Sequence, residues 1–251
     1  DIVSSSSNIS YIKWDSNRFI NRAGSEYLPA DKQSHFWVDY INGLYSVYDR
    51  VRKKYPHITI QRCSSGGGRL DFGALKYHDE VWASDNTNPL SRIFIQYGTN
   101  MFFPAIATGA HVSISPNHQT KMHASLKYRF DVAMAGRLGM ELQPEDLQGD
   151  ERVFAKNAIE TYKQIRPIVQ FGDLYRLVSP YDEGGWAASM YVDKDKKNAV
   201  VFAYSFEFHG RDCFLEFKLD GLDEKKKYKL TELNRMGKKS SFWGNDKIFT
   251  G

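Results

Sequence analysis

Residues 57–87 read HITIQRCSSGGGRLDFGALKYHDEVWASDNT. The stretch opens on a β-branched run, His57 to Gln61, breaks at a serine- and glycine-rich turn, and ends with a second apolar run, Val81 to Ser84, that meets Asp85. Short strands that each run into a polar cluster suit an α/β fold, because ligands gather at the carboxyl ends of parallel strands. Upstream, Ile9 to Asp15 repeats the pattern and continues into Ser16-Asn17-Arg18. Between these strands, Phe36, Trp37, Tyr40, Ile41, Leu44, Val47, Tyr48 and Val51 recur at helical spacing and predict a helix from Ser34 to Tyr55. Arg52, Lys53 and Lys54 suit its C-terminal dipole, and Pro56 stops it.

Downstream, Thr87 or Asn88 caps a helix with Pro89 in its first turn and Gly98 at its end. A strand from Ala110 to Ser115, a helix from Ser125 to Leu138, a short strand from Met140 to Leu142 and a helix from Asp150 to Val169 follow. Beyond Gly172-Asp173 the texture changes. Alternating runs (Ala187 to Val192, Ala199 to Phe206, Cys213 to Leu219, Lys227 to Leu233) separated by Asp-Glu-Gly-Gly and Asp-Gly turns predict an antiparallel β-domain. The expected division is residues 1–172 and 173–251. About five strand–helix units precede it, where a closed (β/α)8 barrel needs eight and about 250 residues. The first part is thus an open α/β sheet or the C-terminal portion of a barrel, and the chain's edges favour the latter.

Composition narrows the function. Apolar residues make up 41% and charged residues 25% of the 251, values of an ordinary globular protein. No run approaches the roughly 20 apolar residues of a membrane span. The net charge of +4 concentrates at Lys225-Lys226-Lys227 and at Lys194, Lys196 and Lys197, in turns with no nucleic-acid recognition motif. Two cysteines, Cys63 and Cys213, and seven histidines show no metal-ligand spacing, so no metal or cofactor is expected. The opening decapeptide lacks the basic and apolar regions of a signal peptide and leaves the compartment undefined.

The chemistry lies in the strand ends. Asp15 and Asp85 come from separate strands, and paired carboxylates are what glycoside cleavage needs: one attacks the anomeric carbon, the other protonates the leaving oxygen and then activates water. Lys13, two positions before Asp15, suits an attacking carboxylate, and Trp82, three before Asp85, gives the aromatic wall of an acid. Gly66-Gly67-Gly68 has neither the Lys-Ser/Thr of a phosphate loop nor GxGxxG spacing, and is expected to let backbone approach a sugar.

Six ordered motifs carry a resemblance: Lys13-Trp14-Asp15-Ser16-Asn17-Arg18, Cys63 to Asp71, Trp82 to Thr87, Ile95 to Thr99, His111-Val112-Ser113 and Pro116 to Thr120. Together they resemble the α-galactosidases of glycoside hydrolase family 36, from about Ile9 to Leu147 and more loosely beyond. The resemblance implies strands four to eight of a (β/α)8 barrel followed by part of an antiparallel β-sandwich domain. It implies Asp15 as nucleophile and Asp85 as general acid/base. It implies Lys13, Asn17, Cys63, Gly66 and Trp82 as galactose contacts, with Arg69 counted among the binding residues and supporting the loop together with Asp71. The expected partner is a galactose-containing oligosaccharide of the raffinose type, with no nucleic acid and no membrane, and the family is often homo-oligomeric. A related galactosyl transferase, an α-N-acetylgalactosaminidase and a non-catalytic carbohydrate-binding fragment are the alternatives. Two departures stand out: Gln61 where the family often has an acid, and Ser65 where it often has a fourth glycine. The first three barrel strands, with an acidic pair and a tryptophan expected to grip galactose, have no counterpart in the sequence.

Overall fold

In a computed structural model of the chain, which describes residues 3–17, 20–207, 216–240 and 242–251, contacts divide the chain into two units, Asp1–Asp85 and Asn86–Gly251. The first holds strands β1 (Tyr11–Asp15), β2 (Thr59–Cys63) and β3 (Glu80–Val81) with helices α1 (Phe36–Lys54) and α2 (Phe72–Leu75). The strands are parallel, in the order β1-β2-β3. Lys13 pairs with Gln61, Asp15 with Cys63, and Gln61 with Glu80. Residues paired in this way share a face, because side chains alternate along a strand. One face therefore carries Lys13, Asp15, Gln61, Cys63 and Glu80, and the other carries Trp14 and Arg62.

Helix α1 covers that second face. Its first full turn starts at Phe36 because Ala30–His35 winds as a tighter 3-10 segment. Tyr48, 2% exposed, is the anchor. Trp14 and His78 meet its ring edge-on at 5.0 and 4.6 Å, and the Arg62 guanidinium lies over it at 5.0 Å. Arg52 does more than suit a dipole. It donates to the carbonyls of Ile58 (2.7 Å) and Tyr77 (2.8 Å) and to Asp79 (2.7 Å), which in turn accepts from Ile60 N (2.8 Å). One side chain thus ties the helix end to β2 and to the turn before β3.

The second unit begins with α3 (Pro89–Thr99), capped by Asn88, whose side chain accepts from Leu90 N and Ser91 N. Strand β4 (Gly109–Ser113), helix α4 (Leu126–Ala133), strand β5 (Arg137–Glu141) and helix α5 (Asp150–Phe171) follow, with β4 and β5 parallel. Helix α4 is shorter than its apolar pattern predicts and β5 starts earlier. At Gly136 a Cβ would lie 2.9 Å from Thr108 O, so only glycine fits where the chain leaves α4 for the sheet. Tyr162 fastens the turn, its hydroxyl donating to Gly136 O (2.8 Å) and accepting from Leu138 N (3.1 Å). Helical spacing cannot tell such a buried turn from one more turn of helix.

The change of texture after Gly172 marks the passage from α5 to an antiparallel sheet of β6 (Asp173–Val178), β7 (Trp186–Val192) and β8 (Ala199–Ser205). Ala110, Val112, Phe130, Ala158, Val169 and Tyr191 form part of one core shared by α4, α5, β4 and β7. A short pair, β9 (Lys227–Lys229) with β10 (Ile248–Thr250), closes the chain. Of the strand expected from Cys213 to Leu219, residues 213–215 lie outside the described residues and 216–219 are not in a strand. Among the described residues no helix is long and apolar enough to cross a membrane. Replacing Arg52 by Ala is expected to lower stability by about 2 kcal/mol, because three acceptors lose a charged donor; a shift of the urea unfolding midpoint measures it.

Candidate active site

The first unit carries every residue singled out as catalytic or substrate-binding. Asp15 ends β1 and is exposed, while its pair on β2, Cys63, is 1% exposed. Asp85, also exposed, follows β3 by four residues. The Cys63 side chain lies beside Asp15 in register on the same sheet face, and its Sγ is 3.9 Å from Asp85 Oδ1. Trp82, 2% exposed, donates its indole N–H to the same Asp85 oxygen at 3.1 Å. An indole N–H only donates, so Oδ1 is held as an acceptor. Asn17 Nδ2 donates to Asp15 Oδ2 at 3.2 Å, and Asn17 Oδ1 accepts from Ser65 N at 2.7 Å. Lys13 Nζ sits over the Trp82 ring, 5.1 Å from its centroid, a cation–π contact that places the cation on the wall of the site.

The turn after β2 is built from backbone. Ser64 N donates to Gly66 O (2.9 Å), Gly68 N to Ser64 O (3.1 Å), and the Ser64 hydroxyl to Ser16 O (2.6 Å). At Gly66, with φ +78°, a Cβ would stand 2.7 Å from Ser84 Cα and 3.1 Å from Asp85 N; at Gly67 it would stand 2.9 Å from Ala83 O. These two glycines let the turn approach the backbone that carries Asp85, where the sequence suggested close approach to a sugar. Arg69 points its guanidinium at helix α1, with Nη1 2.8 Å from Tyr40 Oη. Asp71 caps α2 by accepting from Ala74 N (2.7 Å) and from Tyr45 Oη (2.5 Å). Burial and that second bond push the Tyr45 phenol up to about 12. Both residues support the turn from behind.

Residues 1–172 match the family described as Melibiase, and residues 186–251 match the glycosyl hydrolase family 36 C-terminal domain. The chain belongs to glycoside hydrolase family 36. It is 42% identical over 235 residues to the α-galactosidase AgaA of Geobacillus stearothermophilus, covering 94% of this chain and 32% of that protein. It is 40% identical to α-galactosidase 1 of Pediococcus pentosaceus, covering 91% and 31%. A crystal structure of an AgaA variant in complex with raffinose superposes with a TM-score of 0.87 at 42% identity, covering 91% of this chain and 32% of that one. The chain therefore spans about a third of the length of these relatives.

Within this family frame the two departures acquire a geometry. Ser65 has φ +46°, in the left-handed region where glycine carries no Cβ penalty. Gln61 is wholly buried and donates to the buried Glu80. Sequence reasoning assigns no role to Glu80, although a carboxylate at the head of an apolar run, Glu80-Val81-Trp82, is a visible signal. In the second unit Thr87 and Asn88 form a polar knot with the His111-Val112-Ser113 and Pro116 to Thr120 motifs. Asn117 Nδ2 donates to Thr87 Oγ1 (3.2 Å) and Ser113 Oγ (3.3 Å), its Oδ1 accepts from Gln119 N (3.1 Å) and Thr120 N (3.0 Å), and Asn88 Nδ2 donates to Thr120 Oγ1 (2.8 Å). These side chains shape loop backbone at the carboxyl end of β4. Among the described residues no three His, Cys, Asp or Glu side chains gather as metal ligands.

Burial is the main force pushing the Cys63 thiol up from its ordinary value; Gly66 N–H and Lys13 oppose it and Asp15 adds to it. A folded-state value above the unfolded one favours the neutral thiol, so this contribution to stability is present below the unfolded thiol value and lost as pH rises through the folded one. Cys63 is accordingly expected to alkylate slowly at neutral pH beside a denatured control, as peptide mapping after iodoacetamide would show. Ser65→Gly is expected to stabilise the protein by about 0.5–1 kcal/mol, and Gly66→Ala to destabilise it by about 2–3 kcal/mol, both read from thermal unfolding.

Proposed function

We propose that the full-length protein is a retaining α-galactosidase that removes terminal α-linked galactose, chiefly α-1,6-linked, from raffinose-type oligosaccharides. Strands β1 to β5 are read as strands four to eight of a (β/α)8 catalytic barrel. That barrel ends near residue 172 and an antiparallel β-domain occupies 173–251. The two family matches, ending at 172 and starting at 186, support this division. Relatives named α-galactosidases, and the AgaA complexes with raffinose and stachyose, support the substrate class.

One observation carries the assignment of roles. Two exposed carboxylates, Asp15 at the end of β1 and Asp85 four residues past β3, stand beside the buried Cys63, the register partner of Asp15 with its Sγ 3.9 Å from Asp85 Oδ1. Asp15, with Oδ2 fixed by Asn17, attacks the anomeric carbon, forming a galactosyl ester as the glycosidic bond breaks. Asp85, held through Oδ1 by Trp82, gives its proton to the departing oxygen and then takes one from the water that opens the ester. Lys13, Asn17, Cys63, Gly66 and Trp82 line the galactose subsite, and Arg69 serves it by holding the turn through Tyr40. No metal or cofactor enters this scheme.

The test is hydrolysis of a panel of aryl glycosides by the full-length protein. Cleavage of the α-galactoside with the α-anomer as first product is expected, and an inverted first product rejects double displacement. Asp15→Asn is expected to abolish turnover. Asp85→Asn is expected to lower it by about 100- to 10,000-fold, and wild-type rates in either variant reject the role assigned to that residue.

A further inference from the structure

Directly beneath Asp15 and Cys63, the same sheet face carries a second row, Lys13, Gln61 and Glu80, joined in register across β1, β2 and β3. Gln61 is 0% and Glu80 4% exposed. Gln61 Nε2 donates to Glu80 Oε1 at 2.5 Å, and the Tyr11 hydroxyl donates to the same oxygen at 2.5 Å. A carboxylate only accepts, so the carboxamide on β2 is the donor that its partner on β3 requires. Where the family pattern often sets an acid at the β2 position, this chain sets the amide there and carries the charge one strand over.

Two residues farther along stand Cys63, the last residue of β2, and Trp82, just past the end of β3, whose N–H donates to Arg62 O at 2.8 Å. Side-chain alternation puts Gln61 under Cys63 and Glu80 under Trp82. Those two residues are the ones that approach Asp85 Oδ1, at 3.9 and 3.1 Å. We propose that Gln61 and Glu80 act as one carboxamide–carboxylate positioning pair, which pins β2 to β3 and so sets the separation of the two donors that hold Asp85. Gln61→Glu would bring two acceptor-only groups into one buried contact, which must then share a proton or part. Parting them moves Cys63 and Trp82 off the carboxylate. Exchanging both residues restores one donor and one acceptor, and the amide carbonyl on β3 still accepts from Tyr11.

The proposal rests on Asp85 as the acid/base, and the experiment separates the two ideas. Wild type, Gln61→Glu, Glu80→Gln and the double exchange are prepared as full-length proteins and compared for kcat and KM on an aryl α-galactoside and for Tm. Gln61→Glu is expected to lower kcat about tenfold or more with KM within about threefold, because a misplaced proton donor costs turnover more than binding. The exchange is expected to restore kcat to within about threefold of wild type, since the coupling belongs to the pair. An exchange no more active than the single variants, or a Gln61→Glu enzyme with unchanged kcat, overturns the proposal. If Gln61→Glu yields no folded protein, Glu80→Gln supplies the kcat and KM comparison and the exchange is expected to fold. A wild type that cleaves no aryl glycoside rejects the assigned function instead. The pair is then judged by Tm: losses in the single variants that cancel in the exchange support it, and additive losses overturn it.

Discussion

Parallel pairing without slippage between Tyr11–Asp15 and Thr59–Cys63, carried on to Glu80 and Val81, is the constraint on which the rest of the first unit depends. A displacement of one residue would turn Asp15 and Cys63 towards the helix and bring Trp14 and Arg62 into the site. Two sets of contacts hold the register from opposite faces. On the helical side Tyr48 takes Arg62 over its ring, and Arg52 ties α1 to Ile58, Tyr77 and Asp79. On the other side the buried row of Gln61 and Glu80 links β2 to β3, and Tyr11 reaches across from β1.

Above that row, the site is assembled by backbone proximity as much as by side chains. Gly66 and Gly67 lie so near Ala83, Ser84 and Asp85 that an added methyl group at either would meet main-chain atoms. The turn after β2 and the loop after β3 therefore hold each other, and Asn17 joins the end of β1 to the same turn through Ser65 N. Three loops with few regular hydrogen bonds are kept in place by contact with one another. Such mutual support is how loop residues gain the fixed geometry that bond-making chemistry requires.

Much of this was legible in the sequence, for reasons that lie in local chemistry. The strand ends at Asp15 and near Asp85, the helix broken by Pro56, and the Asn88-Pro89 start of α3 follow from periodicity and capping, which depend on neighbours within four residues. Residues whose part depends on register were not legible. Nothing local in Asp79-Glu80-Val81 says that Glu80 will face Gln61, and nothing local in Gly68-Arg69 says that the guanidinium will turn to Tyr40. The end of α4 is hidden from the sequence because Met134 and Ala135 remain buried after the helix stops, so their spacing still looks helical. Strand β9 is shorter than its alternating run because the chain past Leu230 bonds to Asn245 and Asp246 in an irregular loop.

The thiol between the two aspartates bears on how charge would travel through a double displacement. Such a cycle would begin with Asp15 anionic and Asp85 neutral, and the charge would pass to Asp85 once the sugar was esterified to Asp15. A fixed donor aimed at one carboxylate would favour one half of the cycle over the other. The S–H of Cys63 turns about a single bond beside Asp15 in register and 3.9 Å from Asp85 Oδ1. As a weak donor it costs little to release. Rotation alone would let it follow the charge of such a cycle while the packed chain around it stays still.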